Sequence, residues 1–169
     1  MKKAFTLVEL LVVMAIIGVL AAMAVGSFRT AQLRGRDAQR KSDLKQISHS
    51  LELFYADYGR YPNNTVDGKI VGCPYTTDGI TPKDPNCTWG TGNFTDGKTV
   101  YFRVLPDDPS TNSDYFYELV GTNNQKYRIF ANLENTEDQD CVAGDCSTSP
   151  YNFAVTSANT TWDEALRSD

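Results

Sequence analysis

The chain has one histidine, His49, in 169 residues, and no G-x-S-x-G, H-E-x-x-H or glycine-rich phosphate-loop pattern. Those absences remove the usual constellations for acyl-enzyme, zinc-dependent and nucleotide-driven chemistry. A lone histidine with no cysteine beside it supplies no catalytic dyad, so His49 reads as an exposed helix residue and no enzymatic activity is expected. Proline does not occur before Pro62, cysteine does not occur before Cys73, and no charge interrupts the stretch between Glu9 and Arg29. Nothing in the first sixty residues therefore forces a turn or a covalent staple, and one long helix is permitted there.

Within that stretch, residues 10–28 form a continuous apolar run. At about 1.5 Å per helical residue it matches a bilayer hydrocarbon core of roughly 30 Å. Lys2 and Lys3 precede the run and Arg29, Arg34, Arg36, Arg40 and Lys41 follow it, so the positive-inside rule points both ways on orientation. A cleaved secretory signal, with Ala22-Met23-Ala24 as its cleavage site, is the simplest alternative. Glu9 argues against it. A carboxylate placed within a membrane span costs up to roughly 2.5–3.5 kcal/mol on insertion scales and is kept where a partner or a function compensates it. The residues after Ala24 also continue in helical pattern.

A short basic leader, a small residue, then Phe, Thr, Leu, Val and Glu before an apolar run is the order Lys2-Lys3-Ala4-Phe5-Thr6-Leu7-Val8-Glu9. It resembles the N-terminus of type IV prepilins and type II secretion pseudopilins. The resemblance implies cleavage between Ala4 and Phe5 by a prepilin peptidase on the cytoplasmic side, then methylation of the new amine of Phe5. The family more often has glycine where this chain has Ala4. The resemblance also implies that the Glu9 carboxylate of one subunit meets the Phe5 amine of its neighbour in a helical array. In a medium of low dielectric such a pair is strong, and either charge alone is costly. Glu9 would thus enforce register between subunits. The alternatives are an acid that snorkels to the interface or one that stabilises the helix N-terminus.

Charge is divided by position. Residues 1–60 hold nine Lys and Arg against five Asp and Glu, whereas residues 61–169 hold seven against sixteen. An acidic head repels phosphate backbones, and nucleic-acid binding by it is not expected. Leu44, Ile47, Leu51, Phe54 and Tyr58 recur at spacings of three and four, an apolar stripe able to face a sheet, while Arg40, Lys41, Asp43, Lys45, His49 and Glu52 are placed on other faces. Gly59 and Pro62 end the helix. The expected division is a leader over 1–4, a membrane and filament-core half-helix over 5–28, and an amphipathic half-helix over 29–58. A variable helix-to-sheet loop over 59–98, a sheet with an acidic loop over 99–160 and a tail over 161–169 follow.

Residues 60–98 are rich in Gly, Pro, Asn, Asp and Thr, and read as a long irregular connection pinned by Cys73 and Cys87. Tyr75, Trp89 and Phe94 either form an adhesive surface or tuck beneath the loop. Residues 115–120 and 126–131 flank a turn-rich loop and predict a hairpin, 151–156 a third strand, and 100–105 a fourth strand or a packed turn. The order Leu105-Pro106-Asp107-Asp108-Pro109 followed by Tyr115-Phe116-Tyr117 resembles a block of pseudopilin and bacterial pilin heads. Asp107 and Asp108 read as a proline-flanked turn. The four cysteines lie beyond the apolar run and favour disulfides. Of three connectivities, Cys73 with Cys87 and Cys141 with Cys146 is preferred. Glu134, Glu137, Asp138, Asp140 and Asp145 make an acidic loop. Its spacing fits no EF-hand, and it is read as solvated; calcium is the alternative that the resemblance to major pseudopilins brings. No cofactor is otherwise expected. Asn63, Asn86, Asn93 and Asn159 match the N-x-S/T pattern.

The fold class predicted is α+β and pilin-like: a long N-terminal helix, transmembrane in its first half, packed on a three- or four-stranded antiparallel sheet. The resemblance implies a structural subunit of a type IV pilus-like surface filament, with a type II secretion pseudopilin as the alternative. The partners implied are further copies of the chain, the prepilin peptidase and an inner-membrane assembly platform. Its location would be the cytoplasmic membrane before assembly and the cell surface after it. A monomeric membrane-anchored binding domain is a third possibility.

Overall fold

A computed structural model describes residues 6–71, 87–111, 113–142, 146 and 151–161. One helix, α1 (Leu7–Tyr58), is followed by five short strands: β1 (Phe94–Thr95), β2 (Val100–Phe102), β3 (Phe116–Leu119), β4 (Tyr127–Ala131) and β5 (Phe153–Thr156). The chain divides into two compact units, Met1–Gly35 and Arg36–Asp169.

The first unit contributes the apolar part of α1. Leu7, Leu10, Leu11, Met14, Ile17, Leu20, Met23 and Phe28 are all exposed. This part of the helix is long and apolar enough to cross a membrane, and none of its apolar window is buried within the chain. A helix apolar on every side is a membrane or bundle-core helix and has no solvated face.

In the second unit the stripe predicted from spacing is the buried one: Leu44, Ile47, Leu51 and Phe54 are fully buried and Tyr58 packs against them. They meet one face of a three-stranded antiparallel sheet of order β3-β4-β5. Tyr117 pairs with Ile129, and Ile129 with Val155. Strand alternation points Tyr117, Tyr127, Ile129 and Phe153 inward, and all four are buried. The helix stops at Tyr58 because Gly59 takes φ +66°, a left-handed conformation that costs glycine little, while its N–H still reaches the Tyr55 carbonyl at 2.7 Å.

Two expectations need correction, and one pair of alternatives is decided. Residues 100–102 do not join the main sheet; β2 pairs with β1 in a separate two-stranded ribbon, Phe94 opposite Phe102. Of the two readings of the loop aromatics, the one that tucks them beneath the loop holds for Trp89 and Phe94: Phe94 packs against Phe54 and Tyr101, and Trp89 edge-on to Tyr115; Tyr75 lies outside the described residues. Arg40 and Asp43, expected on faces of α1 other than the apolar stripe, are on its covered side. Both are buried, Arg40 completely.

Candidate functional site

Two places on α1 hold charge where the sequence makes it costly. The first is the helix start. The Thr6 N–H donates to Glu9 Oε2 at 2.9 Å, the Thr6 hydroxyl donates to the same oxygen at 2.8 Å, and the Glu9 N–H returns a bond to Thr6 Oγ1 at 3.3 Å. This reciprocal arrangement is a capping box, satisfying two of the four N–H groups a helix leaves open. Within a single subunit Glu9 therefore already has a partner, and the helix-terminus alternative for this carboxylate is realised in the geometry. Ala4 and Phe5 lie outside the described residues.

The second is a cluster around Arg40. Arg40 follows Asp37 by three residues and precedes Leu44 by four, so the apolar stripe continues upward as a polar one on the same helix face. Its guanidinium is wholly enclosed and donates four ways. Nε and Nη2 hold Asp108 bidentately at 2.8 Å each, Nη1 holds Asp37 at 2.7 Å, and Nη2 also reaches Glu134 at 2.7 Å. Arg36 clamps the Glu134 carboxylate through Nε at 2.8 Å and again through Nη2. Asp37 in turn accepts the backbone N–H of Glu134 at 2.9 Å and of Asn135 at 2.8 Å. One arginine thus ties together the helix, the 105–109 turn and the start of the acidic loop. A planar five-donor fork is the group able to do this in an enclosed site.

The rest of the acidic loop follows the same logic. Lys41 Nζ holds Asp138 at 2.6 Å and Asp140 at 2.7 Å, with Phe153 below it at 5.7 Å. Cys141 and Cys146 close a disulfide ring. Asn152, buried, accepts the Leu133 N–H at 2.6 Å and donates to the Leu133 and Cys146 carbonyls at 2.9 Å each. The loop is therefore docked on helix cations, where its composition predicts a solvated one. Glu137 is exposed and Asp145 lies outside the described residues. Among the described residues no group of three or more metal-ligating side chains is disposed to hold an ion. Cys87 is disulfide-bonded, and its expected partner, Cys73, lies outside the described residues.

These contacts set the acid–base character of the cluster. The Arg36 hydrogen bond, with Arg40 adding to it, holds Glu134 down to about 2 and outweighs the burial that raises it. Lys41 holds Asp138 below its ordinary value. Burial alone would depress Arg40, but its three carboxylates outweigh that and raise it. Burial pushes Asp43 up, partly offset by the Tyr115 hydroxyl donating at 2.9 Å, with Asp108 adding like-charge repulsion. The ensemble contains no nucleophile beside a base; it is a structural clamp. Sequence reasoning misses it because charged residues are sorted to the solvent by type. The available signal is the spacing Asp37, Arg40, Leu44, Ile47, which runs unbroken into the core, together with the acid of the 105–109 block.

Comparison with known proteins agrees with this architecture. Residues 1–25 match the family model described as a prokaryotic N-terminal methylation motif. The chain is 31% identical over 121 residues to type II secretion system core protein G of Pseudomonas aeruginosa, covering 72% of this chain and 76% of that one. It is 36% identical over 104 residues to type IV major fimbrial protein FimA of Dichelobacter nodosus, covering 51% of this chain and 62% of that one. To type IV major pilin protein PilA of Myxococcus xanthus it is 39% identical over 60 residues, 36% of this chain and only 27% of that pilin's length. No solved structure matches. The chain belongs to the type IV pilin and type II secretion pseudopilin family.

Proposed function

We propose that the chain is a structural subunit of a type IV pilus-like surface filament, made as a membrane-anchored prepilin, cut between Ala4 and Phe5, and assembled through its apolar helix. The observation that carries this is the first unit itself: an apolar helix exposed on every side, opened by a capped carboxylate, on a chain whose N-terminal 25 residues carry the methylation motif. In the membrane the helix is covered by lipid; in a filament it is covered by identical helices. Glu9 then exchanges its Thr6 partner for the free Phe5 amine of a neighbour, so a subunit out of register keeps a desolvated carboxylate without its ammonium. Further copies, the prepilin peptidase and an inner-membrane assembly platform are the partners this requires. Since Glu134, Asp138 and Asp140 are occupied by arginine and lysine, the head is proposed to fold without calcium. Chelation should leave its melting temperature unchanged, and a fall of several degrees would reject this.

A secretion pseudopilus is the second reading, favoured by the match to core protein G, which extends through most of the head. One experiment separates the two: mass spectrometry of the N-terminal residue in a sheared cell-surface fraction. An N-methylated Phe5 start in that fraction supports the surface filament. Processed protein confined to membranes favours the pseudopilus, and an intact Met1 confined to membranes rejects assembly altogether.

A further inference from the structure

The three-stranded sheet has two edges, and among the described residues the chain closes only one. On the β3 side the Tyr117 N–H donates to the Gly68 carbonyl at 2.8 Å and the Leu119 N–H to Asn64 Oδ1 at 3.4 Å. On the β5 side the register decides which groups remain. Val155 lies opposite Ile129, and the Ser157 N–H donates to the Tyr127 carbonyl at 3.1 Å, so Val155 and Ser157 turn their main-chain groups to β4. Ala154 and Thr156 alternate with them and turn theirs away, and nothing among the described residues bonds those N–H and C=O groups. Phe153–Thr156 holds neither charge nor proline, the residues that commonly blunt an edge. Nor is this edge flat. A cavity of about 310 Å³ runs along Ala154 and Thr156, walled by the 140–142 segment and by Ser157, Ala158, Thr160 and Thr161. Both walls are pinned: the Val142 N–H donates to the Asn152 carbonyl at 2.7 Å, Cys141 is in the disulfide ring, and the Ser157 hydroxyl donates to Asn159 Oδ1 at 2.8 Å. Neither wall is free to swing in and pair the edge. Lys41 is shared between Asp138 and Asp140, so the two carboxylates and one ammonium keep a net negative charge where Asp140 meets the cavity.

We infer that this cavity takes an extended peptide segment of another protein, added to β5 as a fourth strand through the outward groups of Ala154 and Thr156, with a lysine or arginine of that segment at Asp140. Donors and acceptors arrayed at strand spacing are matched by another extended main chain, which supplies the same groups at the same repeat. The backbone thus selects the conformation of the partner, and the uncompensated carboxylate selects its charge. Such a site stands whether or not the chain assembles into filaments.

The test is residue-resolved amide hydrogen exchange of the detergent-solubilised full-length chain with a synthetic probe, a blocked peptide of alternating valine and threonine that begins with lysine. Near saturation the Ala154 and Thr156 amides should exchange roughly tenfold or more slowly, while Val155 and Ser157, already bonded to β4, stay as they were. The same peptide N-methylated on its pairing edge should protect nothing. Thr156→Pro deletes an outward N–H and spares the bonds to β4, so it should abolish the slowing at Ala154, whereas Thr156→Val should keep it. Exchange that the peptide does not alter, or equal protection by the N-methylated peptide, overturns the site. Protection present without peptide overturns it too, and a rise of that protection with protein concentration assigns the edge to a second copy. Equal binding of a peptide with glutamate for its lysine overturns the basic partner. Should Thr156→Pro fail to fold, the N-methylated comparison, which changes only the probe, still decides.

Discussion

Arg40 and Asp108 each have a fully enclosed side chain, and the stability they confer depends on both being present. Without Asp108, Arg40 keeps Asp37 and Glu134 but two of its enclosed N–H donors lose their acceptor, a penalty of about 2–4 kcal/mol. Asp108→Ala should therefore lower the unfolding free energy of the detergent-solubilised chain by that amount in urea titrations. Asp107→Ala, one residue away but exposed, should stay within about 0.5 kcal/mol. The two aspartates are indistinguishable in sequence. Which one turns inward is decided by the register of a loop against a helix 68 residues earlier, and no local pattern carries that information. Glu134 sets a pH dependence. Its carboxyl is held at about 2, below an ordinary value of 4.5, so its contribution is complete above about pH 4.5 and drains away as the pH falls through 2. Asp43 works in the opposite sense: burial raises it, so its ionised form weighs against the fold near neutrality and that weight lifts on acidification. The urea midpoint of the unsubstituted chain should fall between pH 4.5 and 2 more steeply than that of Glu134→Gln.

At the scale of elements, periodicity makes α1 readable to within two residues at its start and to its last residue, Tyr58, because period and stop signals are local. The three strands of the main sheet are readable for the same reason, each shorter in the structure than its β-rich run. The β1–β2 ribbon is not. Its two-residue strand β1 is held by Phe94 entering the core against Phe54, a contact across 40 positions that composition does not reveal. The connection between α1 and the sheet depends on Gly68, whose φ is +76° and whose carbonyl accepts the Tyr117 N–H at 2.8 Å. A Cβ there would stand 2.2 Å from Phe116 Cδ2. Gly68→Ala should cost about 2–4 kcal/mol, from strain and collision together. Gly97→Ala, at φ +86° with open space around it, should cost only the conformational part, about 1 kcal/mol. Thermal unfolding of the two variants side by side measures the collision alone.

For the whole molecule, the capping box makes the two roles of Glu9 separable. Thr6→Ala removes the two bonds made by the hydroxyl and keeps the carboxylate with its backbone N–H donor, whereas Glu9→Ala removes the carboxylate from both roles. If Glu9 serves assembly, Glu9→Ala should abolish most surface filament while Thr6→Ala retains a substantial fraction, scored by pilin in the sheared fraction; equal losses would reduce Glu9 to a helix cap. The clamp on Arg40 also has a history in time. Its anchor Asp108 lies 68 residues downstream and Glu134 lies 94 residues downstream. With chains made at about 5–20 residues per second, on the order of five to twenty seconds separate the birth of the arginine from that of its last partner. Through that interval Arg40 has Asp37 alone for a partner, on a helix whose apolar flank has nothing yet to fold against. A chain stopped before residue 134 would therefore keep its helix arginine and lack the last of its partners.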